Sequence, residues 1–460
     1  MPEIAFVPID NRPVCFQLPQ MTVSQAKEHK IIMPDINLSG DLTKSADING
    51  IFRFLEAQQE ADIFVISLDT IAYGGLIPSR RSSESFDAVK VRIQRLFEIL
   101  KKFKARVYAF SSIMRISNNN INEEEKEYWK DWGEKIFEYS YNLHKYGGKI
   151  KTDIPRGILE DYLNTRKRNF EINKYYIELK KQGFIDVLVF SKDDCAPFGL
   201  NVQESDELKK LSAGTEGVFI KTGADEIPLT LLSRALNKDK KIKIHPVYTK
   251  LDSIDKISKY EDISVKESVK AQIELAGGIF CDNEQACGMV LLVNNFEKEQ
   301  GELVMNVNAP LFKGELKLPD KPYCIADILN ANGSDNNFVK QLLNSDLKNF
   351  YGYAGWNTSG NTLGSVLAGA LTYFGAQKPD KEAFNRLQAV RFLDDWAYQA
   401  NVRGKIRGSI KNLKPEILKE NMLPYENIVL KKFNIQQDIK YYFPWSRFFE
   451  IGVIYRYFRN

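Results

Sequence analysis

The feature that most constrains this chain is the order in which short apolar runs and amphipathic stretches succeed one another. The runs "IAFVPID" (4–10), "KIIMPD" (30–35), "ADIFVISLD" (61–69), "ARVYAFSSIMR" (105–115), "IDVLVFSKDD" (185–194), "GVFIKTGADE" (217–226), "KIKIHPVYT" (241–249) and "CGMVLLVNN" (287–295) have strand length and strand composition. Helix-like stretches separate them: "SFDAVKVRIQRLFEILKKF", "NEEEKEYWKDWGEKIFEYSYNLHKY", "EINKYYIELKKQG", "ESDELKKLS" and "IPLTLLSRALN". Strand alternating with helix predicts a parallel sheet with helices packed outside it, and runs that are apolar throughout suit strands buried on both faces.

Eight such runs before residue 300 predict an α/β fold of (β/α)8-barrel type, with a doubly wound open sheet as the alternative, since nothing in a sequence shows closure. Two later runs, "YCIADI" (323–328) and "NFYGYAGWN" (349–357), leave the choice of eight open. The last hundred residues, ending in "YYFPWSRFFEIGVIYRYF", read as helical and aromatic. A boundary in "NNFEKEQGE" divides the chain into a catalytic domain, 1–300, and a mixed then helical C-terminal domain, 301–460.

Bulk properties narrow the function. With 64 Lys+Arg against 60 Asp+Glu the net charge is +4, and no long basic run marks a nucleic-acid partner. No apolar run approaches the roughly 20 residues that span a bilayer, and the N-terminus lacks signal-peptide features, which points to a cytoplasmic protein without a membrane partner. Five cysteines without CxxC spacing indicate neither a disulfide framework nor a thiolate zinc site. Cys195 reads as a small buried residue rather than a nucleophile.

Polar residues gather at the predicted C-terminal strand ends, where such folds build their sites. These are Asp10, Asn11 and Arg12; Asp69 with Tyr73; Arg115; Asp193 and Asp194; Asp225 and Glu226; Tyr248; and Asn294. Asp and Asn also favour turns and helix caps, "GADE" before Pro228 could simply begin a helix, and Asp10 with Arg12 could be a structural ion pair. Asp193 and Asp194 are harder to dismiss. The following helix has its own capping-box start at Asn201-x-x-Glu204, and two adjacent carboxylates in a desolvated site raise each other's pKa. In "GYAGWNTSGNTLG" (352–364), Trp356 offers a flat apolar face and Asn357 and Asn361 offer amides, a set suited to a sugar ring; the competing interpretation is a turn and cap with Trp356 in the core.

The stretches "FVPIDNRPV", "SLDTIAYGGLIPSR", "SKDDCAPFGL", "TGADEIPLTLLSRA" and "YAGWNTSGNTLGSVLA" together resemble the bacterial family called domain of unknown function 4127, across nearly the whole chain. The order "SKDD", "GADEIPLTLLSRAL", "IHPVYT" and "MVLLVNN" is also similar to the second half of the barrel in O-GlcNAcase-type glycosidases, a pattern the first half does not share. That resemblance implies Asp193 as the carboxylate orienting the substrate acetamide, Asp194 as the general acid and base, and Asn294 or Asn295 as an acetamido contact. The expectation is a carbohydrate-active enzyme, a glycoside hydrolase acting on an N-acetylhexosamine-type or related small or oligomeric sugar through paired carboxylates, without metal or other cofactor. The alternatives are a divalent-metal hydrolase built on the same carboxylates and a non-catalytic sugar-binding protein.

Overall fold

A computed structural model describes residues 2–193, 195–409 and 414–456. The chain forms two compact units: the first comprises residues 1–11, 30–228 and 260–262, the second residues 12–29, 229–259 and 263–460.

The first unit is built on six parallel strands, β1 (Glu3–Val7), β2 (Lys30–Ile32), β3 (Ile63–Ser67), β4 (Arg106–Ile113), β5 (Val187–Lys192) and β6 (Val218–Thr222), in the order β2-β1-β3-β4-β5-β6. β3 and β5 are buried at every residue, which explains their unbroken apolar sequences. The helix Phe86–Leu100 buries Val89, Ile93, Leu96, Phe97 and Leu100 along one stripe, and Ser85 caps it by accepting from Ala88 N–H. Each such side chain removed from water contributes roughly 1.5–3 kcal/mol. Because β1 lies between β2 and β3, the strand order reverses beside it, and the crevice at such a reversal is the usual ligand site of an open α/β sheet.

The second unit carries a five-stranded parallel sheet, from β7 (Lys243–Tyr248), β8 (Ile279–Phe280), β9 (Met289–Asn294), β11 (Tyr323–Asp327) and β13 (Phe350–Ala354), in the order β13-β11-β9-β7-β8. A two-residue pairing joins β10 (Gly301–Glu302) to β12 (Asn330–Ala331). Leu291, Val293, Cys324 and Ala326 pack with Leu363, Leu367 and Leu371 of the helix Ser359–Gly375 in one core. The helix Lys381–Arg391 runs on as π-helical turns over Phe392–Val402 and then as α-helix over Arg403–Ser409.

The α/β class with parallel sheets and a largely helical C-terminal region is therefore as the strand–helix alternation predicts. The eight runs offered for one barrel are shared between two sheets, six in the first and two in the second, and neither sheet closes among the described residues. Three local expectations are corrected. The tail is not helical throughout: β14 (Asp438–Tyr442) pairs antiparallel with β15 (Gly452–Arg456), because Pro444 stops a helix and the alternating burial of β14 suits an edge hairpin. The helix read from Asn122 begins only at Trp129, because Glu124 and Glu125 are drawn into ion pairs. Asn201 is not an N-cap: the helix Leu200–Leu211 starts before it, and Glu204 pairs with buried Arg166 at 2.7 Å instead of capping. Among the described residues no helix is long and apolar enough to cross a membrane.

Candidate functional site

Register brings a polar row to the C-terminal edge of the first sheet. Ser111 stands opposite Phe190, Ser112 opposite Ser191, and Lys192 opposite Thr222, so the strands that are apolar through their length end together in hydroxyls and charge. Ser67 ends β3 and caps the short helix Leu68–Tyr73 by accepting from Thr70 N–H; Thr70 Oγ1 donates to Pro8 O at 2.7 Å, which ties the β3 end to the β1 end. Gly74 closes that helix at φ 87°, a left-handed conformation that glycine adopts without a Cβ penalty.

Two kinds of carboxyl group sit on this edge. Asp69, 1% exposed, accepts from Ser112 N–H at 2.8 Å, and Ser111 Oγ lies 3.3 Å from its other oxygen. Burial pushes its pKa up to about 7 against the lowering effect of these bonds and of the Arg80 charge. Asp193, by contrast, faces two guanidiniums: Arg115 at 3.4 Å and Arg80 at 3.6 Å. Arg115 also holds Glu124 and Glu125 at 3.0 Å each, and Arg80 reaches the same two glutamates at 3.4 and 3.3 Å. Beside this network Lys192 pairs with Asp262, and Cys195 N–H donates to Tyr260 O at 3.1 Å, so the short return of the chain at 260–262 belongs to the same edge. Charges removed from water this far are tolerated because each has several partners.

A cleft of about 410 Å³ opens alongside, lined by Tyr73, Asp41, Ser45, Arg81, Ser82 and Glu84 among others. Its size falls in the range of small-molecule sites. The buried Asp10 and the Asn11 backbone, which donates to Gly40 O at 3.1 Å, lie at the β1 end of the same unit. Asp225 and Glu226 follow β6; both are buried, and Glu226 folds back to accept from Ala224 N–H at 2.9 Å, a local turn bond like the capping alternative weighed for this stretch. Cys195 is buried, and desolvation raises its thiol pKa well above the ordinary value, which disfavours a thiolate nucleophile. Asp194 lies outside the described residues. Among the described residues no group of three His, Cys, Asp or Glu is placed to hold a metal ion.

The other candidates fall in the second unit. Asn294, fully buried, donates to Asp327 Oδ1 at 2.8 Å; Asp327 also accepts from Asp335 N–H at 2.7 Å and from the Tyr353 hydroxyl at 3.0 Å, and burial pushes its pKa up to about 7. The Asn295 amide is spent on the Lys250 backbone, donating to its O at 2.8 Å and accepting from its N–H at 3.0 Å. Burial raises the pKa of Tyr248, whose hydroxyl has no hydrogen-bond partner among the described residues. Trp356 is 3% exposed and meets Phe449 edge-on at 6.0 Å, Asn357 has φ 63°, and Asn361 is buried in the helix that Thr358 caps. Arg12 belongs to this unit, stacked over Trp445 and 3.9 Å from Glu450.

Sequence reasoning missed Arg80, Glu124, Glu125 and Asp262. Arg80 was legible only as the last residue of "LIPSR" after the glycine pair, and the glutamates were hidden in what reads as a helix start.

These features define a class: a two-unit α/β protein with a buried arginine–carboxylate network at the C-terminal edge of a doubly wound type of parallel sheet. The chain belongs to the family described as protein of unknown function DUF4127, whose model matches residues 4–454. No curated protein matches the sequence. Solved structures that are similar include an α-L-fucosidase of family GH29 from Bacteroides thetaiotaomicron, at 10% identity and TM-score 0.20 over 86% of this chain and 74% of that one. A bacterial fucosidase solved with a monovalent iminocyclitol inhibitor gives the same identity and TM-score over 86% of this chain and 75% of its own. At that score the likeness carries no argument about this protein.

Proposed function

We propose that the protein is a carbohydrate-active enzyme, a glycoside hydrolase acting on an N-acetylhexosamine-type or related sugar through the paired carboxylates that end β5. One observation supports this above the others: Asp193, directly after β5 and next in sequence to Asp194, is held by the Arg80 and Arg115 guanidiniums at 3.6 and 3.4 Å, an anchored acceptor at the C-terminal edge of the sheet. Two carboxyl groups side by side at one site are a usual means of dividing positioning and acid–base roles. In the proposed reaction Asp194 gives its proton to the glycosidic oxygen as the C1–O bond breaks, while the substrate acetamido oxygen bonds to C1 and Asp193 accepts the acetamide N–H. Water then attacks C1, returns its proton to Asp194 and releases the acetamide. The five free cysteines fit a reducing compartment, which suits a cytoplasmic enzyme.

A panel of aryl N-acetylhexosaminides and related aryl glycosides, assayed with and without chelator, tests the reading. Turnover that survives chelation and is lost in Asp194→Asn is expected. Absence of turnover across the panel, or an unimpaired Asp194→Asn protein, would overturn it.

A further inference from the structure

Asp193 is held through one oxygen. Arg115 Nη1 lies 3.4 Å and Arg80 Nη2 3.6 Å from its Oδ2, and its Oδ1 has no hydrogen-bond partner among the described residues. Other nitrogens of the same two guanidiniums are engaged by the loop that follows β4. Arg115 Nε donates to Glu125 Oε1 at 3.0 Å and its Nη2 lies 3.0 Å from Glu124 Oε2, while Arg80 Nη1 lies 3.3 Å from that same Glu125 oxygen and 3.4 Å from Glu124 Oε2. A guanidinium is a rigid planar fork, so holding one nitrogen fixes where the others point.

Of the two glutamates, Glu125 is the one built in. Its side chain is 3% exposed against 19% for Glu124. Its backbone is pinned on both sides: Glu125 N–H donates to Asn122 O at 3.0 Å, and Glu125 O accepts from Arg81 Nε at 3.0 Å. The next residue is fixed as well, since Lys126 Nζ donates to Asp161 Oδ2 at 2.7 Å and to Thr165 Oγ1 at 2.8 Å on the helix Arg156–Lys181. Buried ion networks add little net stability over well-packed apolar residues, so two arginines and two glutamates gathered beside one strand-end carboxylate call for a geometric reason. A misplacement of about 1 Å at an orienting group can cost roughly 10²-fold in rate.

We propose that Glu125 is a positioning residue: through Arg115 and Arg80 it sets where Asp193 Oδ1 stands, and so how the substrate acetamide is presented, an assignment that rests on the glycosidase reading above. Single-turnover kinetics of the full chain, with enzyme in excess over an aryl N-acetylhexosaminide, test it in the wild type, Glu125→Ala, Glu125→Gln, Asp193→Asn and the Glu125→Ala/Asp193→Asn double variant. Glu125→Ala is expected to lower the rate roughly tenfold or more at a nearly unchanged half-saturating concentration, and Glu125→Gln, which keeps an acceptor for Arg115 Nε, to recover part of the loss. Added to Asp193→Asn, Glu125→Ala should cost less than about threefold further, because the group it positions is already gone. Equal losses in the two backgrounds would make Glu125 a structural brace and overturn the proposal, as would a wild-type rate in Glu125→Ala. Should Glu125→Ala fail to fold, or Asp193→Asn have no measurable rate, Glu125→Gln decides. A lowered rate with half-saturating concentration and folded fraction unchanged upholds the assignment; a wild-type rate, or one lowered only in step with the folded fraction, removes it. A wild type that cleaves no N-acetylhexosaminide gives a different result, sinking the glycosidase reading and this assignment with it.

Discussion

Arg80 and Asp193 face each other at 3.6 Å across the end of the first sheet, and the arginine side chain is only 1% exposed. A cation this deeply buried is held in place by its carboxylates, and they by it. Arg80→Ala is therefore expected to cost about 3–5 kcal/mol, the usual penalty for breaking a buried pair. Urea unfolding with an unchanged m-value measures it. A loss below about 1 kcal/mol would place the guanidinium in water instead.

The proposed chemistry assigns different consequences to two adjacent residues. Asp194→Asn removes the proton donor and is expected to lower kcat by roughly 10²–10⁴-fold with little change in KM. Asp193→Asn, deprived of its charge beside Arg80 and Arg115, is expected to lose activity and also some stability. Circular dichroism and steady-state kinetics on both proteins separate the two effects.

Asp69 gives the fold a pH dependence of defined sign. Its folded pKa, about 7, lies above the ordinary value of 3.8, so in this interval the native state binds more protons than the unfolded one. Its contribution is fully present below the ordinary value and is lost as pH rises through about 7, with a slope of at most about 1.4 kcal/mol per pH unit. Asp69→Asn, which keeps an acceptor for Ser112 N–H, should flatten that part of the stability–pH curve. A mutant-minus-wild-type difference independent of pH between 4 and 7 would contradict this assignment.

Gly223 is expected to tolerate no side chain. It sits at φ 109°, and a Cβ there would come within 1.8 Å of Glu226 Oε1, displacing the carboxylate that binds Ala224 N–H. Gly223→Ala should lower stability by about 1–3 kcal/mol, read as a shift in the thermal midpoint.

The strands were legible because each is short, apolar and bounded by polar turn residues, and Asp69 and Asp193 were legible because they end such runs. Which strand lies beside which was not: "DVLVF" and "MVLLV" look alike, yet the first pairs with β4 and β6 and the second with β7 and β11. Pairing between strands is a long-range property that local patterns leave open. The same holds for Glu125 meeting Arg80 across 45 residues and Asp262 meeting Lys192 across 70. Trp356 shows the converse, since its flanking amides are legible in the sequence while its burial, at 3% exposure, depends on distant neighbours.

The helix Pro13–Ser24 belongs to the second unit, where it packs on the helices Ser359–Gly375 and Lys381–Arg391, and Ala26 bridges to Pro379. During synthesis this helix leaves the ribosome more than three hundred residues ahead of the surfaces that cover Val14, Leu18 and Val23. The second unit therefore cannot finish folding until late in translation, and its earliest piece must wait as an unburied apolar strip until those surfaces emerge.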